Sequence, residues 1–91
     1  MRIPIWRPSA LDQLDSAIGY IAARDRRAAD RLEGLVHQSI DTNVAVPMAG
    51  RSGRVVGTRE WVVHPNYLLV YRVTRTTVTV LRFLHARQRY P

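Results

Sequence analysis

Every cation in this 91-residue chain is an arginine; fourteen of them, with no lysine, give a formal net charge of +7. A guanidinium is a rigid planar fork of donors that meets a carboxylate or a phosphate through two parallel hydrogen bonds, which an ammonium does not. The chemistry open to such a set is recognition of anions. A codon bias towards arginine would give the same count, so the placement of the charge says more than its amount. Residues 1–43 hold six arginines (Arg2, Arg7, Arg24, Arg26, Arg27, Arg31) and six acids (Asp12, Asp15, Asp25, Asp30, Glu33, Asp41). Residues 44–91 hold eight arginines against the single acid Glu60, so the whole excess lies in that half. The asymmetry points to a polyanionic or acidic partner; the bland alternative is a solvated basic surface that aids solubility.

Other residues offer less chemistry. Asp12 and Asp15 fall near a helix start, where the dipole favours anions, and read as a solvated face rather than a catalytic pair. His37 has no second ligand at i+4 and reads as a packed or surface histidine. Cysteine is absent, which removes disulfides and thiolate metal sites. No metal and no cofactor are expected. Gly50-Arg51-Ser52-Gly53-Arg54 sets cations beside flexible backbone, but it lacks the Gly-Lys-Ser/Thr ending of a phosphate-cradling loop.

The elements that must position the arginines centre on residues 57–85. Val, Thr, Tyr, Trp and Phe dominate that stretch, and they suit a pleated, half-buried surface. His64-Pro65-Asn66 and Arg75-Thr76-Thr77 interrupt it at hairpin spacing, because Pro65 lacks a donor and fixes its own φ. The pattern predicts an antiparallel meander over about 57–63, 67–74 and 78–85. Tyr67 to Tyr71 do not alternate, so both faces of that strand should be covered. In the last strand Val78, Val80, Arg82 and Leu84 should face one way and Thr79, Leu81, Phe83 and His85 the other. That parity separates Arg82 from His85 unless a bulge intervenes.

Ahead of the meander, Arg2–Trp6 is a strand candidate with Pro4 at an edge position. Pro8 suits a helix start, and Leu11, Leu14, Ile18 and Ile21 give helical spacing over about 9–23. Gly19 there would permit close packing. Asp25 is a good N-cap for a second helix over about 26–42, with the stripe Ala28, Ala29, Leu32, Leu35, Val36 and Ile40, ended by Asn43. The short link makes the two helices an antiparallel hairpin. Residues 44–56 read as a loop whose Met48 and valines tuck onto the core. The fold class expected is α+β: one domain over 1–91, β-α-α-β-β-β, a helical hairpin packed on a curved antiparallel sheet. No apolar run approaches the ~20 residues that span a bilayer, and no signal-peptide pattern opens the chain, so a cytoplasmic protein is expected.

This order and certain residues together resemble the RelE/ParE superfamily of bacterial toxins from type II toxin–antitoxin modules. The residues are Trp6-x-Pro8-x-Ala10-x-x-x-Leu14, Ala28-Ala29-Asp30-Arg31-Leu32 and Gly50-Arg51-x-Gly53-Arg54-Val55-x-Gly57-Thr58-Arg59-Glu60. His64-Pro65-Asn66-Tyr67, Val70-Tyr71-Arg72-Val73 and Leu84-His85-Ala86-Arg87-Gln88-Arg89-Tyr90-Pro91 complete the set. The Gly-Thr-Arg-Glu segment and the ending lean towards the ParE branch, also known as plasmid stabilisation proteins. The resemblance implies a growth-inhibiting protein neutralised by a cognate antitoxin, a flexible partner contacting the helical hairpin and the sheet near Arg59, Trp61 and Arg82. The ParE branch implies inhibition of DNA gyrase by binding, with Arg59, Arg82, His85, Arg87, Arg89 and Tyr90 as target contacts. The RelE branch implies instead a metal-free, ribosome-dependent mRNA endonuclease. Its base and acid would come from Glu60 or His85, its cations from Arg59, Arg72 and Arg82, and its base stacking from Tyr90.

Overall fold

The β-branched and aromatic run does form a meander. A computed structural model, which describes residues 1–88 and 90, places β3 at Arg59–His64, β4 at Tyr67–Val73 and β5 at Thr77–His85. Before it come β1 (Ile3–Trp6), α1 (Pro8–Ala22), α2 (Arg26–Ala45), a 3-10 turn (Pro47–Ala49) and the two-residue β2 (Arg51–Ser52). The strands make one five-stranded sheet in the order β1-β5-β4-β3-β2. All neighbours are antiparallel except β1, which runs parallel to β5. The sheet is therefore mixed at that edge rather than wholly antiparallel as expected, because the helical hairpin carries the chain from one edge to the other.

Pro4 is tolerated for a simple reason. The Ile3 amide donates to the Thr76 carbonyl at 2.8 Å and the Arg7 amide to the Val80 carbonyl at 3.0 Å. Odd-numbered residues of β1 thus bond inward, and Pro4 faces outward, where its missing donor blunts the edge.

The helices lie on one face of the sheet. Pro8 opens α1, and the Asp25 carboxylate caps α2 by accepting from the Ala28 amide at 3.1 Å. Ala10, Leu32, Val36 and Ile40 pack on Val63, Leu69, Val80 and Phe83, with Leu14, Ile18, Ile21 and Trp61 around them. Each fully buried Val, Leu, Ile or Phe side chain among them contributes about 1.5–3 kcal/mol. α2 runs three residues past the expected end. Asn43 is not its cap: it continues the buried stripe of Val36 and Ile40, and both of its amide atoms are buried without a partner. Gly19 serves no close packing, since a Cβ there would meet nothing within 4 Å. Of the loop side chains expected on the core, Val44 packs there. Val46, Met48, Val55 and Val56 are exposed, because the 3-10 turn and β2 hold the backbone at the sheet's rim.

Two tethers set that rim. The Tyr71 hydroxyl, fully buried, donates to the Pro47 carbonyl at 2.9 Å and accepts from the Gly50 amide at 3.1 Å. Burial pushes the Tyr71 hydroxyl's pKa up, against the opposing pull of the Gly50 hydrogen bond and the Arg59 charge. The Arg59 guanidinium donates to the Gly50 carbonyl at 2.7 Å. Gly50 fits because it has no side chain, since a Cβ would overlap the Tyr71 hydroxyl.

β5 departs from simple alternation. Val70 pairs with Arg82 and Tyr71 with Val80, so Leu81 is an extra residue. Val78 and Val80 therefore face the helices, while Arg82 and Leu84 face away, not together with them as alternation alone would have it. Phe83 and His85 return to the helix side, and Arg82 and His85 stay on opposite faces. β4 is buried on both sides as expected: Leu69 and Tyr71 on the helix side, and Leu68 and Val70 on the other, in a second cluster with Leu84 and Tyr90.

Candidate binding surface

The face of the sheet away from the helices carries the charge. Cross-strand pairing places Arg51, Glu60, Val70 and Arg82 in one row across four strands. Arg72, two residues from Val70, shares that face. Glu60 is buried and its carboxylate accepts from the Arg51 Nε at 2.8 Å. The only acid of the C-terminal half is thus already paired. Tyr90 lies on the same face, buried on Leu68, Val70 and Leu84. Its hydroxyl accepts from the Arg54 amide at 3.4 Å, and the Arg54 guanidinium stands 5.2 Å from its ring centre. The end of the chain and the loop after β2 thereby hold one another over the sheet.

At the edge of β5 beyond the end of β1, where the start of α1 meets this face, lies a cavity of about 280 Å³. Arg7, Arg72 and Arg82 line it, with Ser9, Thr58 and Tyr90. The Leu81 bulge and the Gln13 side chain set its wall: Gln13 Oε1 accepts from the Phe83 amide at 2.9 Å, closing β5 beyond the end of β1. Arg7, Arg72 and Arg82 have no ion pair among the described residues, where the salt bridges are Arg51–Glu60 and the exposed Arg26–Asp30.

The remaining candidate residues lie elsewhere. Arg59 points to the helix side and spends its guanidinium on loop carbonyls. Trp61 is half-buried against the helical core. His85 is also on the helix side, edge-on to Tyr67 at 5.4 Å between ring centres. Its Nδ1 accepts from the Arg87 amide at 3.2 Å. Arg87 is exposed in the turn after β5. Arg89 lies outside the described residues. Sheet register thus places Glu60 and Arg82 on one face, where Tyr90 also packs, and leaves Arg59, Trp61 and His85 on the opposite face.

Three residues of the cavity were not among the candidate site residues. Ser9 carries no distinguishing motif, and Thr58 stood only as part of the Gly-Thr-Arg-Glu segment. Arg7 offered one clue, its position beside Pro8 at a helix start, but only the β1–β5 pairing reveals which arginines it meets. Among the described residues no group of three or more acids and histidines could hold a metal ion, and no helix is long and apolar enough to cross a membrane.

Comparison with known proteins decides the family. The model of the ParE toxin of the parDE type II toxin–antitoxin system matches residues 5–90. The chain is a member of the ParE toxin family. It is 36% identical over 87 residues to a Sinorhizobium fredii protein named "Putative toxin Y4kP", covering 94% of this chain and 90% of that one. Its fold matches that of a chain from the chromosomal ParDE system of P. aeruginosa (TM-score 0.79, 20% identity, 93% of this chain and 96% of the other). It also matches the YoeB/ParE toxin from Agrobacterium tumefaciens (TM-score 0.66, 18% identity, 93% and 98%). The α+β architecture and the helical hairpin expected of a ParE-like chain are those observed, and the chain is a type II toxin.

Proposed function

We propose that this ParE-family toxin arrests growth by binding DNA gyrase, and that a cognate antitoxin neutralises it. The observation that carries the reading is the open sheet face, where Arg72 and Arg82 have no ion pair among the described residues while the larger hydrophobic core is built on the other side. A cationic surface that the fold does not consume is available for a partner. Arg82 and Tyr90 on that face, with His85, Arg87 and Arg89 towards the end of the chain, are the proposed target contacts. The antitoxin would cover the helical hairpin and the rim near Arg59 and Trp61, reaching Arg82. Gyrase acts in the cytoplasm, which is the compartment proposed.

Binding is favoured over ribonuclease chemistry by the separation of the acid–base candidates. Glu60 is engaged by Arg51, His85 lies on the opposite face from Arg82, and the Tyr90 ring is packed rather than free to stack on a base. General acid–base cleavage needs both groups within hydrogen-bond reach of one phosphodiester.

The test is purified gyrase supercoiling run beside cleavage of ribosome-bound mRNA. Loss of supercoiling without mRNA cleavage is expected. Unaffected gyrase, with mRNA cleavage that disappears in His85→Ala, would replace this reading with the nuclease.

A further inference from the structure

We infer that the cavity at the β5 edge, where the start of α1 meets the open sheet face, is a receptor for a carboxylate side chain on an acidic segment of a partner protein. The inference deepens the protein-binding reading above and names the chemistry that one part of the surface recognises. Three arginines, Arg7, Arg72 and Arg82, border one cavity of about 280 Å³. They come from the start of α1, from β4 and from β5, so the fold brings together cations far apart in sequence. Like charges held together repel, and a protein retains such a group where an anion completes it. Within the described residues nothing does so. Glu60, the acid that sheet register places on this face, is buried and bonded to Arg51.

The cavity's own character selects a carboxylate over a nucleic-acid backbone. A single-stranded nucleic acid is held by a row of cations along a track together with aromatic faces on which bases stack. Here the cations border a single cavity. The one aromatic ring, Tyr90, has its ring packed on Leu68, Val70 and Leu84 and covered by Arg54. The Thr58 hydroxyl is bonded to the Val55 carbonyl at 2.6 Å and Gln13 Oε1 accepts from the Phe83 amide. The donors left over are the three arginine side chains and the Ser9 and Tyr90 hydroxyls, a set that suits one carboxylate held by charge-assisted hydrogen bonds. Val55, Val70 and Leu81 supply an apolar wall for the methylenes of an aspartate or glutamate.

The full chain, labelled with ¹⁵N, would be titrated with an acetylated, amidated hexaglutamate peptide and, separately, with hexauridylate, at fixed salt. Hexaglutamate should shift the guanidinium Nε resonances of Arg7, Arg72 and Arg82. The Arg72→Ala/Arg82→Ala variant should bind it about tenfold more weakly, the loss expected for two charge-assisted contacts. Arg75→Ala, in the exposed β4–β5 turn, should bind as the wild type does. A dispersed amide spectrum in each variant would verify folding. The inference fails if the double variant binds hexaglutamate undiminished, or if the shifts spread evenly over all arginines. It also fails if hexauridylate binds the same three arginines more tightly, which would make the cavity a nucleic-acid site. A negative gyrase assay would remove the proposed target and leave this result standing, because peptide binding is read directly.

Discussion

Arg82 and Phe83 are neighbours on β5, yet they belong to two different molecules in a physical sense. Phe83 is buried among Leu69, Val80 and the helix stripes. Arg82 faces solvent beside Arg72 and Arg7 with no ion pair among the described residues. The helix-side face carries the larger hydrophobic core, so its residues determine whether the chain folds. The open face is charged, and its exposed arginines are free of that task. A strand alternates between these demands at every residue, which lets 91 residues carry both a core and a contact surface. Each face should therefore respond to mutation in its own currency: stability on one, partner binding on the other.

The largest effect tests the core side. Phe83→Ala should lose about 3–5 kcal/mol of folding stability, measured by chemical denaturation. A loss below that of Arg82→Ala would invert the comparison. Next comes the tether at the rim. Tyr71→Phe keeps the ring but strips the partner from the buried Gly50 amide and from the Pro47 carbonyl, and should cost about 1–3 kcal/mol. The same residue sets an alkaline limit. Its pKa is raised above the ordinary 10.0, so the folded state holds its proton more tightly than the unfolded chain. The stability this provides is intact below about pH 10 and is lost as pH rises through the folded value. Tyr71→Phe should flatten that limb of a stability–pH curve.

Tyr90 sits between the two regimes, an aromatic packed on the charged face. Tyr90→Ala should cost about 2 kcal/mol through lost apolar burial. Tyr90→Phe should cost less than about 0.5 kcal/mol, because the 3.4 Å contact to the Arg54 amide is long for a hydrogen bond. Thermal melts of the two variants would separate packing from polarity. The smallest effect belongs to Arg82→Ala, expected within about 0.5 kcal/mol of wild type because the side chain is exposed and has no ion pair among the described residues.

Much of the fold was legible because its signals are local. Val, Thr and aromatic residues marked the meander, Pro65 marked a turn, Asp25 marked a cap, and the period of Leu32, Val36 and Ile40 marked a buried helix face. The misreadings share a cause: tertiary contacts outweighed local preference. Asn43 has the composition of a helix end but follows a buried stripe onward into the core. Val78 and Val80 obey a strict period of two only as far as Leu81, where the extra residue reverses the faces. That bulge has no sequence mark. The segregation of charge was also visible in the chain, but not which cations meet. Arg7 and Arg82 are joined by sheet register, and Arg59 is separated from Arg82 by side-chain parity and by the loop carbonyls it holds. Site residues chosen by type alone therefore fell on both faces.

The most direct test of a core face that folds and a cationic face that acts is growth on induction without antitoxin. Wild type and the Arg72→Ala/Arg82→Ala variant would be compared at matched soluble levels and melting temperatures. The wild type should arrest growth, and the variant, equally folded, should let the culture grow. A variant that is folded, present and as toxic as the wild type would contradict the assignment of action to that face.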